Sequence, residues 1–319
     1  MAVKVIRAGM QTTVQDLGRR GHRVAGVPLS GAMDPVALRV ANSLVGNAED
    51  LAALEFVLLG PTVEFTEDAL VAIGGAEVEG VRSWRPLKFR AGERLVTGAC
   101  QRGCRGYLAV AGGFDVPLVL GSRSTYLRGG WGGFEGRALR DGDRLPMGAA
   151  SLHVSALPTP RYAWQIDPRI LPDYSRGPRI RATRARGATT AGAEVFQSEY
   201  TVTAQSDRMG LRLRSPVPLT AGAGNALSAA VTPGTVQVPP DGQPVVLMAD
   251  AQTIGGYPPA AHVICVDLPL MAQLRPGDRL RFTEVTLEEA HRQAVLRERS
   301  LAILRQGLAE KLGARMETA

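Results

Sequence analysis

The side chains able to do chemistry in this sequence sit in four glycine-rich stretches. The first, TTVQDLGR at 12–19, carries Gln15 and Asp16, and the second, GVPLSGAMDP at 26–35, carries Ser30 and Asp34. The third, GSRSTYLRGGWGGFEGR at 121–137, carries Arg123, Arg128 and Arg137. The fourth, VQVPPDGQPVVLMADAQTIGGYP at 236–258, offers Gln237, Gln243 and Gln252 but few titratable groups. Glycines let main chain approach a ligand and leave N–H groups to face an anion. An arginine can grip a carboxylate or phosphate with two parallel hydrogen bonds. The plainer uses compete with these. Glycine-rich corners let small barrels close, and an Asp just before Pro35 reads as a helix cap.

No self-contained catalytic signature accompanies these loops. The sequence has no G-x-x-x-x-G-K-[ST] phosphate loop and no G-x-S-x-G elbow. His22, His153, His262 and His291 are far apart, and only His22, in a polar loop after Gly21, invites attention as a functional group. Cys100, Cys104 and Cys265 cannot make a disulfide framework, and no second Cys/His pair completes a zinc site with the first two, so no metal site is expected at the cysteines.

The elements that must position the loops are short strands. Gly and Pro number 37 and 21 in 319 residues and punctuate the chain about every ten residues. Between them lie AVKVIR, TVEF, ALVAIG, RLVTGA, GYLAVAG, SLHVSA, YTVTAQ, LRLRS, PVVLMA, HVICVDL and RLRF. That spacing predicts β-barrels or sandwiches and not parallel βαβ units. Helical periodicity is expected in two places. Asp34-Pro35 opens a helix that Gly46 closes. Leu287 to Leu312 forms a long C-terminal helix with a stripe of Leu287, Ala290, Ala294, Val295, Leu301, Ile303, Leu304 and Leu308.

At this length two domains are expected. The five prolines between 156 and 178 mark a stiff linker. The expected organisation is an N-terminal domain at 1–155, the linker at 156–178, a second domain at 179–286, and the helix and tail at 287–319. RAGERL at 90–95 echoes RPGDRL at 275–280, each a turn feeding a strand. The formal charge of +7 comes from scattered arginines. The dense run SRGPRIRATRARG lacks interleaved aromatics, so no nucleic-acid partner is expected. No run of about 18 apolar residues is present and the N-terminus has no apolar leader core, so no membrane span is expected and the cytoplasm is the expected compartment.

TTVQDLGRRG, VPLSGAMDPVALRVANSLVGN, GPTVEF, GSRSTYLRGGWGGFEGRALRDGD, QSDRMGLRL, PGTVQVPPDGQPVVLMAD and QTIGGYP resemble the carboxyltransferase-domain (subdomain A and B) family. That family includes the C-type subunit of the bacterial ATP-dependent 5-oxoprolinase, the Kip-type sporulation regulator, and the carboxyltransferase region of urea carboxylase, once labelled allophanate hydrolase subunit 2. The resemblance runs from about residue 3 to 286. It implies a mainly β chain of two cyclophilin-like β-barrel domains and a B-type (Kip-inhibitor or allophanate hydrolase subunit 1-like) partner subunit.

The resemblance also implies a cleft edged by the PPDGQP and GGYP loops, bordered by Pro239, Asp241, Gln243, Gly255, Gly256 and Tyr257. Gln237, Gln243 and Gln252 would there meet a small cyclic amide or ureido group. Asp207 and Arg208 come from the QSDRMG motif. The chain departs from the family pattern at Ala229, Ala251 and Pro259, where the family commonly carries Glu, Arg and Lys. Three functions follow from the resemblance: an ATP-dependent 5-oxoprolinase subunit using ATP with magnesium, in which acids such as Asp16, Asp34 and Asp207 could hold a metal that bridges phosphates; a biotin-dependent carboxyltransferase whose biotin is attached to another chain; and a non-catalytic regulator that binds a partner protein.

Overall fold

The computed structural model describes residues 2–151, 165–174, 177–188, 190–221 and 228–312. Much of the proline-rich stretch and all but Ser151 of the expected strand SLHVSA lie outside the described residues. The chain forms two compact units. Unit 1 comprises Met1–Arg19, Asp34–Leu171 and Arg299–Ala319; unit 2 comprises Arg20–Met33 and Pro172–Glu298.

In unit 1 the strands are β1 (Ala2–Arg7), β2 (Thr12–Gln15), β3 (Ala53–Val57), β4 (Thr62–Phe65), β5 (Ala69–Val78), β6 (Pro86–Phe89), β7 (Arg94–Val96), β8 (Cys100–Val110) and β9 (Arg144–Pro146). They hydrogen-bond as a four-stranded sheet, β7-β4-β1-β9, and a five-stranded sheet, β2-β3-β8-β5-β6. Alternation decides which side chains enter the shared core, because successive residues of a strand face opposite ways. Val3, Val5, Phe65, Leu95 and Leu145 come in from one sheet, and Val14, Leu54, Phe56, Ile73 and Leu108 from the other. β5 is buried at nearly every position, because helix α1 (Pro35–Leu44) covers the face that the core does not. The fit is close. A Cβ on Gly74 would lie 2.6 Å from the Ala37 carbonyl oxygen.

Helix α1 starts where its cap predicts. The Asp34 carboxylate accepts from the Ala37 N–H at 2.9 Å, and Pro35 occupies the first turn, where no N–H is needed. The Asp34 N–H itself donates to the buried Tyr107 hydroxyl at 2.8 Å, which donates onward to Glu55 at 2.7 Å. Burial and the Glu55 carboxylate push the Tyr107 phenol well above its ordinary pKa, so it stays a donor.

In unit 2 the strands are β10 (Arg179–Arg184), β11 (Glu199–Val202), β12 (Gly210–Arg214), β13 (Ala229–Ala230), β14 (Thr235–Gln237), β15 (Val245–Leu247), β16 (Ile254–Gly255), β17 (Pro259–Val263) and β18 (Arg279–Glu284). Seven of them close a barrel in the order β10-β17-β14-β15-β12-β11-β18, while β13 and β16 form a separate ribbon. The barrel closes through a parallel pairing of β18 with β10. Its core includes Ile180, Tyr200, Val236, Val246 and Phe282, and Met33 from the early segment joins them.

One turn occurs three times. In RAGERL, RDGDRL and RPGDRL the backbone N–H of Arg90, Arg140 and Arg275 donates to the carboxylate of Glu93, Asp143 and Asp278 at 2.7, 2.7 and 2.8 Å. Gly92, Gly142 and Gly277 take φ of 81°, 92° and 90°, a region open to glycine. Each turn then donates to the strand that the following segment joins, at Phe65, Val5 and Val202 respectively. The copy at 140–145 is visible once the fold is known, and it feeds β9.

Three local expectations change. The run HVICVDL leaves the sheet after Val263, turns at Cys265–Asp267 and enters a short helix α3 (Leu268–Ala272), which Pro269 favours in its first turn. A second short helix, α2 (Ala191–Glu194), also lacked a periodic signal, since one turn is too short to show one. Helix α4 spans Leu287–Leu312 as expected, but its buried positions are Ala290, Leu301, Leu304, Leu308 and Leu312. Leu287, Val295 and Ile303 of the expected stripe are exposed. Composition alone cannot separate two adjacent apolar faces of one helix.

Candidate functional site

In unit 1 the loop after β2 is held from within. Asp16 Oδ1 accepts from the Gly18 N–H at 2.7 Å and from the hydroxyls of Ser122, at 2.7 Å, and Ser124. Its Oδ2 accepts from the Arg123 N–H at 2.5 Å. Gln15 is fully buried, and its amide N–H₂ donates to Thr13 Oγ1 and the Thr125 carbonyl. The neighbouring Arg19 is 1% exposed, donates to the Ser124 carbonyl and lies 4.4 Å from the centre of the Trp131 ring. Arg19 gave no signal in the sequence, because burial of an arginine has no local signature.

The arginines of the 121–137 stretch divide by environment. Arg123 donates to the Val116 carbonyl and to Asp115. Arg137 is clamped between Asp143 and Glu135, which raises its pKa and lowers that of Asp143. Arg128 stands exposed beside Gly129 and Gly130.

In unit 2 the expected residues fall into three groups. The first is the turn between β12 and its predecessor and the segment facing it. Asp207 accepts from the N–H groups of Met209 and Gly210, as turn acids do. Arg208 is buried and pairs with buried Asp250 through Nε and Nη2 at 2.9 and 3.0 Å. Its Nη2 also donates to the Gly31 carbonyl at 2.6 Å, and the Ser30 N–H donates to the Ala249 carbonyl at 2.9 Å. Asp250 was not foreseen; it lies 42 residues from Arg208 in the chain, and no pattern links them.

The second group is the β14–β15 hairpin. Pro239 to Gly242 forms its turn, closed by the Gly242 N–H to the Pro239 carbonyl, with Asp241 accepting from the Gln243 N–H. Gln243 Oε1 accepts from the Ser215 N–H at 2.7 Å, which ties the hairpin to the end of β12. The third group is the returning GGYP segment. Buried Gln237 donates from Nε2 to the Tyr257 carbonyl at 2.8 Å. A Cβ on Gly255 would stand 2.6 Å from that same Nε2, so only glycine lets the segment lie this close. Gly256 and Tyr257 are exposed, as is Gln252.

The departures from the family pattern also have places. Ala251 is buried in a small apolar cluster with Val231 and Leu247. Ala229 is exposed on the β13–β16 ribbon, and Pro259 opens β17 opposite Gln237. Among the described residues no group of three or more His, Cys, Asp or Glu is placed to hold a metal ion. No helix among them is long and apolar enough to cross a membrane. His262 is half-buried with Nδ1 3.4 Å from Thr235 Oγ1, and burial lowers its pKa. His22 precedes a single 3₁₀ turn, Arg23–Ala25.

Such a mainly β chain, with polar loops built from amides, hydroxyls and paired charges, matches the carboxyltransferase domain, subdomain A and B, over residues 25–284. The chain belongs to that family. It is 44% identical over 297 residues to the C-type subunit of 5-oxoprolinase from Escherichia coli, across 90% of this chain and 93% of that one. The subunit of the same name from Haemophilus influenzae is 38% identical over 302 residues, with the same coverage. The crystal structure of the K. lactis urea amidolyase superposes with a TM-score of 0.84 at 32% identity, over 94% of this chain. This chain spans only 20% of that enzyme.

Proposed function

We propose that this chain is the C-type subunit of an ATP-dependent 5-oxoprolinase, which opens the lactam of 5-oxoproline to glutamate together with a B-type partner subunit. The observation that carries the reading is its 44% identity to the C-type 5-oxoprolinase subunit of Escherichia coli along nearly the full length of both chains. In the reaction the γ-phosphoryl group of ATP passes to the lactam oxygen, one water adds at the ring carbonyl carbon, the C–N bond opens as the ring nitrogen leaves as the protonated amine, and a second water releases phosphate from the resulting acyl phosphate to leave glutamate. This chain's share is binding and orientation. Asp16, Asp34 and Asp207 already accept internal hydrogen bonds, so none is offered as its general base. A neutral lactam suits amide and main-chain groups, because a lone buried charge beside it would be left uncompensated. Arg128, exposed on the glycine-rich loop, is the proposed contact to the phosphates of magnesium-bound ATP, and units 1 and 2 are the proposed domains of a cytoplasmic protein.

The test is to purify the chain with and without its B-type partner and measure ADP and glutamate formed from 5-oxoproline and ATP. The complex should turn over and the single chain should not; full turnover by the single chain would refute the partnership. The structural likeness to a urea amidolyase favours a second reading, a carboxyltransferase acting on urea or another amide with biotin carried elsewhere. Carboxylation of urea from a biotinylated carrier, without 5-oxoproline turnover, would establish that reading instead. A tight complex with neither activity would leave a Kip-type regulator.

A further inference from the structure

Ser30 has a combination of features that the fold of unit 2 does not require. It is 2% exposed, its Oγ has no hydrogen-bond partner, and its backbone is left-handed at φ 53°. A buried hydroxyl without a partner lowers stability, and a non-glycine residue in the left-handed region lowers it further. Glycine would remove both penalties, and the next position, Gly31, already is one, at φ 81°. The turn is nevertheless held firmly on both sides. The Ser30 N–H donates to the Ala249 carbonyl, and the Gly31 carbonyl accepts from Arg208. The charge beside it is cancelled, because Arg208 is paired through two nitrogens with Asp250.

We propose that the Ser30 hydroxyl is a ligand contact, donating to the carbonyl oxygen of a neutral amide, lactam or cyclic-urea group of a small molecule. This deepens the reading of the chain as a lactam-handling subunit and rests on it. The neighbouring ion pair has no net charge, so a neutral acceptor fits better than a carboxylate, which would meet no uncompensated cation there. The hydrogen bonds on either side fix the turn in advance, so little ordering is left for binding. Because Ser30 is sealed from solvent, the ligand must displace a covering group. Strain and an unsatisfied polar group kept together at one residue are the features that functional sites retain at the expense of stability.

Two variants of the full chain test this. Ser30→Ala removes the hydroxyl and keeps the left-handed backbone; Ser30→Gly removes both penalties. The expected result is a Tm raised by about 2–4 °C in Ser30→Ala and by more in Ser30→Gly. At the same time, binding of 2-pyrrolidinone and 2-imidazolidinone, followed by NMR titration, should weaken roughly tenfold or more in both. A Tm that falls in Ser30→Ala would make the hydroxyl a structural group. Unchanged affinity in the variants, or no binding of either probe by the wild-type chain, would also overturn the proposal. Neither probe needs ATP or the partner subunit, so loss of 5-oxoproline-dependent turnover in the complex would sink the enzyme reading while leaving this one to its own result.

Discussion

Units 1 and 2 each bury an aspartate in a loop, and they satisfy it by opposite means. Asp16 in unit 1 accepts from neutral donors, the N–H groups of Gly18 and Arg123 and the hydroxyls of Ser122 and Ser124. Asp250 in unit 2 is met by the Arg208 guanidinium. The neutral cradle closes on itself, since every donor in it comes from the loop segments it joins. A guanidinium has five N–H donors in a fork, so it can satisfy the acid and still reach the Gly31 carbonyl. One acid stabilises its own loop; the other fixes a second segment of chain, the one that carries Ser30.

The largest effect expected from breaking this contrast is at Arg208. Arg208→Ala leaves Asp250 buried without its counter-charge, a loss of about 3–5 kcal/mol. Asp16→Ala strands neutral donors, two of them hydroxyls that can turn elsewhere, and should cost less, about 1–3 kcal/mol. Denaturant titration of both variants measures the difference. The double variant Arg208→Ala/Asp250→Ala should recover much of the loss, because it removes the uncompensated charge. A costlier Asp16→Ala would reverse the comparison.

Within unit 2 the same logic separates two glutamines that look equivalent in sequence. Gln243 accepts from the Ser215 N–H, so Gln243→Ala should cost about 1–3 kcal/mol. Gln252 is exposed, and Gln252→Ala should change stability by no more than about 0.5 kcal/mol. Thermal melts showing equal losses would mean that the hairpin is not held by Gln243.

The smallest effect concerns pH. His22, His262 and His291 all fall in unit 2, and burial lowers the pKa of His262 from 6.5. The unfolded chain therefore takes up this proton more readily than the folded one. The contribution of His262 to stability is full above the unfolded value and is lost as pH falls below it. Stability measured between about pH 7.5 and 5 in His262→Gln should fall less than in the wild type; an identical slope would assign the pH response to other groups.

The sequence alone determined the features that depend on residues a few positions apart. The helix Pro35–Leu44 was legible from its Asp34 cap and closing Gly46, and the helix Leu287–Leu312 from its length. Two of the three R-x-G-[DE]-R-L turns were legible because their hydrogen bonds run between an arginine and an acid three residues later. The tightness of the Gln237–Tyr257 approach and the pairing of Arg208 with Asp250 were not, because their partners lie 20 and 42 residues apart. Nor could periodicity choose which face of the last helix is buried, or show that residues 20–33 join unit 2. Those outcomes depend on which surfaces meet once the strands have closed, and on what each buried polar group finds there. Ser30 is the sharpest case: its residue type was readable, but its strained backbone and unpartnered hydroxyl exist only in the folded chain.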